Sequence, residues 1–127
     1  QGLVEDGKEK EVRAGIAANI KAMNDPWFRF FMKYEPAADL EKLKCPVLAL
    51  NGTKDLQVDY KLNLPAIEAA LKKGGHQDFV VKELESLNHL FQTCKTGSMT
   101  EYGEIEETFD LETLSLISRW ISDKTNK

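Results

Sequence analysis

Asp55 and His89 are the two residues whose types and positions in the sequence are best suited to proton-transfer chemistry. Asp55 follows an apolar run that ends at Asn51, and His89 follows a second apolar run that ends at Leu84. A carboxylate beside an imidazole fixes the tautomer of the ring and stabilises its protonated form. Each residue alone has an ordinary explanation, because an Asp after a strand often forms a turn and a lone His often packs. Because Asp55 and His89 occupy matching positions after two apolar runs, together they indicate a functional site.

Two predicted parallel strands bring these residues to one edge of a sheet. Residues 46–51 form a continuous apolar run, which is typical of a strand buried on both faces of a parallel sheet. Residues 78–84 form the second strand. The segment between them has apolar residues at helical spacing: Leu64, Ile67 and Leu71. In open α/β sheets, reactive groups gather at the carboxyl ends of the strands. The sequence therefore predicts an α/β fold with both residues at the rim of the sheet rather than in a core.

Further helices are predicted on either side of this unit. One covers Glu9–Met23, and the next begins at Pro26, with Asp25 as its N-cap. The last helix begins after Asp110, and residues 86–108 form a long irregular segment of the kind that is usually functional or mobile. Four aromatic residues share one face of the second helix: Trp27, Phe30, Phe31 and Tyr34. Packing of this face against a core is favoured over a role in lining an acyl pocket.

Composition and charge exclude several classes of partner. The net charge of −4 argues against a nucleic-acid partner, and the longest apolar run is too short to span a membrane. Cys45 and Cys94 match no zinc or redox spacing, so no metal is predicted. The chain starts at Gln1 without a Met, which we interpret as part of a longer protein, and a cellular location is not encoded in these residues.

Two segments resemble the acid and histidine segments of the α/β-hydrolase family. Residues 45–52, followed by Lys54, Asp55 and Val58, resemble the apolar strand and the turn that carry the acid in that family. Residues 83–89 are similar to the segment that presents its catalytic His. The order of acid and then His, with a crossover helix between them, matches the family's order of nucleophile, acid and His. The resemblance covers residues 26–120 and is nearest to bacterial serine esterases or acyl-peptidase-like hydrolases with a helical cap.

This resemblance implies a domain organisation and an activity. Residues 1–127 would be one incomplete domain, with residues 1–25 the end of the cap and residues 26–127 the C-terminal part of the hydrolase core. Asp55 would orient His89, which would be the general base towards a serine nucleophile. The longer protein would hydrolyse an ester, thioester or amide of a small acyl substrate, without a metal or organic cofactor.

The sequence departs from the family pattern in two places. The Gly-x-Ser-x-Gly segment that carries the nucleophile is missing, and the serines lie elsewhere: Ser86, Ser98, Ser115, Ser118 and Ser122. The nucleophile is therefore expected outside this sequence, and the chain alone is expected to be inactive. A few residues before the His, where the family often has a Gly, this chain has Glu85 and Ser86.

Two further expectations follow from the missing part of the domain. The alternative function is a non-catalytic α/β module for binding or assembly, in which Asp55 and His89 are structural. A phosphate- or dinucleotide-binding half is disfavoured, because no Gly-rich loop follows either strand.

Residues 47–50 carry no charge, so the unpaired edge of the first strand lacks the usual protection against pairing. We therefore expect the chain to self-associate as a dimer.

Overall fold

The computed structural model describes residues 6–126 and divides the chain into two compact units, Gln1–Glu35 and Pro36–Lys127. The described residues form five α-helices and a two-stranded parallel sheet, which is the predicted mixture of helix and strand. In chain order the elements are α1 (Asp6–Met23), α2 (Pro26–Lys33), α3 (Ala37–Leu40), β1 (Val47–Gly52), α4 (Tyr60–Lys73), β2 (Phe79–Leu84), a 3₁₀ helix (Met99–Glu101) and α5 (Leu111–Thr125). None of the helices in this part of the chain is both long and apolar enough to cross a membrane.

The first unit contains α1 and α2, and both helices were predicted. The end of α1 at Met23 is confirmed, and α1 begins a few residues before the predicted Glu9. The start of α2 is also confirmed, because the carboxylate of Asp25 accepts a hydrogen bond of 2.9 Å from the backbone N–H of Trp27. Pro26 occupies the first turn, where its fixed φ suits a helix and its missing N–H is not needed.

Within the first unit the aromatic face of α2 is exposed, so the predicted packing against a core is not formed there. Trp27 stacks on Phe31 and Phe30 lies against Tyr34, each pair with ring centroids 5.6 Å apart. Despite these contacts, Trp27 is 68% exposed and Phe30 is 65% exposed. A pair of helices cannot enclose such a face by itself. The amphipathic pattern correctly predicts a helix that has one apolar side, but it does not supply the element that would cover that side.

The second unit contains the sheet, and both predicted strands are confirmed to within one residue. The strands pair in parallel, with Val47 opposite Phe79 and Gly52 opposite Leu84. Helix α4 packs against both strands and buries Leu64, Ala70 and Leu71. Residues 47–50 are only half-buried, so the prediction of burial on both faces is wrong within the described chain. The physical reason is that the described sheet has only two strands, which leaves the outer edge of β1 unpaired.

Hydrogen bonds fix the long irregular segment between β2 and α5. The side chain of Gln92 donates to the carbonyl of Glu107 at 2.8 Å, and the N–H of Asp110 donates to the carbonyl of Phe91 at 2.8 Å. Helix α5 begins directly after Asp110, as predicted, and Asp110 caps it by accepting from the N–H of Thr113 at 2.7 Å. These bonds hold the start of α5 next to the segment that follows β2.

Candidate functional site

The structure brings Asp55 and His89 into direct contact. Asp55 lies three residues after the end of β1, and His89 lies five residues after the end of β2. Since the strands are parallel neighbours, both turns leave the sheet at the same edge. Atom Oδ2 of Asp55 is 2.9 Å from Nδ1 of His89, which is hydrogen-bond distance. The two residues that the sequence singles out therefore form one pair.

Main-chain contacts between the two turns hold the pair together. The N–H of Thr53 donates to the carbonyl of Leu84 at 2.9 Å, and the N–H of Lys54 donates to the carbonyl of Leu87 at 3.0 Å. Gly52 permits this approach, because a Cβ atom there would lie 2.1 Å from the carbonyl oxygen of Leu87. The N–H of Ser86 adds a third link at 2.9 Å to the hydroxyl of Thr53. The turn after β1 and the turn after β2 are thus one hydrogen-bonded assembly.

Four donors surround the carboxylate of Asp55. Its Oδ1 accepts from the backbone N–H groups of Gln57 and Val58 at 2.8 and 2.9 Å. Its Oδ2 faces the His89 ring and accepts from the side-chain amide of Asn51 at 3.1 Å. Asp55 lies at the predicted edge of the sheet, but its side chain is only 5% exposed, so the expectation that it lies outside a core is wrong. The four hydrogen bonds offset the cost of burying it.

These contacts keep Asp55 ionised. Burial alone would raise the pKa of the Asp55 carboxyl, because it disfavours the charged form. The hydrogen bond from His89 and those from the N–H groups of Val58 and Gln57 outweigh burial, so the pKa lies below its ordinary value of 3.8. At neutral pH, Asp55 is a carboxylate that can only accept hydrogen bonds.

The state of Asp55 determines the tautomer of His89. Because a carboxylate cannot donate, Nδ1 of His89 carries the proton and donates to Oδ2. In the neutral ring, Nε2 is then an acceptor with an available lone pair. Nε2 makes no hydrogen bond to any residue from 6 to 126, and the His89 side chain is 38% exposed. The ring is therefore oriented from one side and accessible from the other, which is what a general base requires.

Asn88 shapes the turn that presents His89, and the sequence analysis missed it. Its fully buried side chain accepts from the N–H groups of Leu90 and Gln92 at 2.9 and 3.0 Å. Its amide group also donates to the side-chain oxygen of Gln92 at 3.0 Å. Asn is a common turn residue because its side chain bonds to the following backbone. That preference is the one feature of the sequence that could have indicated the role of Asn88 in this turn.

Ser86 occupies a backbone conformation that favours glycine. Its φ is 63°, in the left-handed region where a Cβ atom is crowded. This is close to the place where the resembling family often has Gly. A Ser in this conformation costs more than a Gly would, and the bond from the Ser86 N–H to the hydroxyl of Thr53 helps to hold it.

Other residues with suitable chemistry lie outside the pair. The ring of His76 accepts from the N–H of Asp78 at 3.2 Å and donates to the carbonyl of Cys45 at 2.8 Å, so its nitrogens are engaged locally. Cys45 and Cys94 are free cysteines, and burial raises the pKa of the Cys94 thiol. Across the described residues, no group of three or more His, Cys, Asp or Glu side chains could hold a metal ion.

Two clefts on the second unit lie away from the pair. One of about 590 Å³ is lined by residues of β2 and α5, such as Leu84 and Thr113. Another of about 300 Å³ is lined by residues of the irregular segment, such as Cys94 and Glu101. Neither contains Asp55 or His89. Of the pair, Asp55 is buried and the His89 side chain is 38% exposed, so His89 is the member that a substrate could reach.

Comparison with known proteins finds no relative. No protein-family model, no curated protein and no solved structure matches the chain. The likeness to α/β-hydrolases stays a hypothesis that depends on the two motifs and on the geometry of the pair.

Proposed function

We propose that this chain is the C-terminal part of a serine hydrolase with the α/β-hydrolase fold. In this proposal Asp55 is the acid and His89 is the base of a catalytic triad. The supporting observation is the 2.9 Å contact between Oδ2 of Asp55 and Nδ1 of His89 at the carboxyl ends of adjacent parallel strands. The accessible Nε2 of His89 is then the atom that exchanges protons with the reacting groups.

The proposed reaction is acyl transfer to a serine followed by hydrolysis. Nε2 of His89 takes the hydroxyl proton of the serine while the serine oxygen attacks the acyl carbonyl. Asp55 stabilises the imidazolium that forms, and Nε2 then returns the proton to the departing alcohol, thiol or amine. Water repeats the sequence to release the acid and regenerate the serine. The chemistry needs no metal or organic cofactor, and the substrate is a small ester, thioester or amide.

The serine and the oxyanion-stabilising groups belong, in this proposal, to residues outside this sequence. The experiment is to express the protein together with the residues encoded before Gln1 and to treat it with a serine-directed fluorophosphonate. We expect the probe to label one serine outside residues 1–127, and His89→Ala to abolish labelling. The 127-residue chain alone should remain unlabelled and should not hydrolyse a chromogenic acyl ester. Labelling of Ser86 in the isolated chain would contradict this assignment.

The second possible function is a non-catalytic α/β module for binding or assembly. It is favoured by the missing nucleophile segment and by the apolar side chains that the described chain exposes, such as Trp27 and Phe30. In that case Asp55 and His89 would only stabilise the turn that they share. The two functions are distinguished by the labelling experiment, because a module without a nucleophile gives no labelled serine at any length of chain.

A further inference from the structure

Asn51 contacts the functional pair from inside the sheet. Asn51 is the second-to-last residue of β1, directly before Gly52, and is 6% exposed. Its Nδ2 lies 3.1 Å from Oδ2 of Asp55 and 3.3 Å from the carbonyl oxygen of Val58. Both of these neighbours are acceptors, so the nitrogen of the amide and not its oxygen must face them.

The contact divides the four donors around Asp55 into two pairs. The main-chain N–H groups of Gln57 and Val58 occupy Oδ1, whereas Asn51 and His89 share Oδ2. The carboxylate therefore cannot rotate without breaking at least two hydrogen bonds. Asn51 is the one side chain, apart from His89, that the described residues place against Oδ2.

We propose that Asn51 is a positioning residue that holds Oδ2 of Asp55 in place, so that this oxygen always receives the Nδ1–H of His89. The role acts through Asp55, because Asn51 has no contact with the ring of His89 among the described hydrogen bonds. It rests on the proposed function, since the pair that Asn51 positions is the pair assigned there. The experiment below measures the pair itself and not hydrolysis, so its failure is separate from a failure of the hydrolase proposal.

The test compares two substitutions that each add one negative charge to the 127-residue chain. Asn51→Asp puts a second carboxyl at the place of the amide, next to Oδ2 of Asp55. Asn63→Asp is the matched control on α4, where the exposed Asn63 side chain bonds only to the carbonyl of Asp59, at 2.8 Å. Two carboxyls about 3 Å apart cannot both ionise easily and share a proton instead.

Two NMR measurements give the result. Carbon-detected titration should show that Asn51→Asp raises the apparent pKa of the Asp55 carboxyl by at least about one pH unit, whereas Asn63→Asp leaves it unchanged. The downfield Nδ1 proton of His89 should shift upfield or broaden only in Asn51→Asp. A side chain at position 51 that faced away from Asp55 would move neither signal, because its new carboxyl would not lie beside Oδ2.

Asn51→Leu removes the donor without adding charge and should also raise the pKa of Asp55, by less than Asn51→Asp does. If Asn51→Leu does not fold, the nearly isosteric Asn51→Asp decides the question alone. The proposal is overturned if Asn51→Asp moves the Asp55 titration no more than Asn63→Asp, or if the Nδ1 proton is unchanged. It is equally overturned if both Asn51 variants unfold, since the residue would then be needed for folding and not for the pair.

Discussion

Replacing Asp55 by Asn is the most direct test of how the pair works, because the change keeps the shape and removes the charge. Two backbone N–H groups point at Oδ1, so the carbonyl oxygen of the new amide must take that place. Its NH₂ group then faces Nδ1 of His89, which can only accept from it. The ring is forced into the tautomer with the proton on Nε2, and this nitrogen can no longer take the proton of a serine.

The expected loss of turnover in the longer protein is about 10³- to 10⁴-fold, or about 4 to 5.5 kcal/mol of transition-state stabilisation. Steady-state hydrolysis of a chromogenic acyl ester measures it. Asp59→Asn is the control, because Asp59 is an exposed carboxylate that caps α4 by accepting from the N–H of Lys61 at 2.9 Å. A variant Asp55→Asn that kept more than about a tenth of the activity would refute the tautomer argument, since that loss is below about 1.4 kcal/mol.

Three other outcomes can be measured on the 127-residue chain. Because the pKa of Asp55 is depressed in the folded chain, its contribution to stability is present above pH 3.8 and is lost as the pH falls through the folded pKa. Urea unfolding from pH 7 to pH 2 should therefore show a fall in the free energy of unfolding that is smaller in Asp55→Asn than in the wild-type chain. Ser86→Gly should raise the free energy of unfolding by about 0.5 to 1 kcal/mol, because it relieves a left-handed φ of 63°, whereas Ser98→Gly, at a φ of −62°, should not raise it. We also propose that the chain forms a two-fold dimer through the unpaired edge of β1. Sedimentation should then show that Leu48→Lys shifts the species towards monomer while Val80→Lys on β2 does not, and a monomeric wild-type chain would contradict this.

The sequence predicts the sheet and the pair well because local patterns and one general rule about parallel strands are enough for both. The continuous apolar run that ends at Asn51 specifies where β1 stops, and a polar turn must follow. The pairing of Asp55 with His89 needs only one long-range rule, that parallel neighbouring strands end at the same edge. Once β1 and β2 are adjacent, the short segments from Gly52 to Asp55 and from Leu84 to His89 bring the two side chains within contact distance.

Asn51 and Asn88 could not be predicted in the same way, because their roles depend on which atoms meet after folding. An Asn at the end of a strand or in a turn is common in any sequence, and its type does not show which acceptor it will face. The burial of Asp55 was missed for a related reason. Position after a strand predicts a rim, and only the folded chain shows that four donors converge there and permit burial.

The aromatic face of α2 shows a different limit, which bears on function. Periodicity predicts that Trp27, Phe30 and Phe31 share a side, but burial of that side requires a partner element whose existence no local pattern encodes. The same holds for the outer edge of β1, which has no strand beside it in residues 6–126. Both surfaces are apolar, whereas the turns that carry Asp55 and His89 are already closed by their own hydrogen bonds. The chain thus brings the acid and the base of the proposed triad together by its own hydrogen bonds, whereas the aromatic side of α2 and the outer edge of β1 are not covered within their own units.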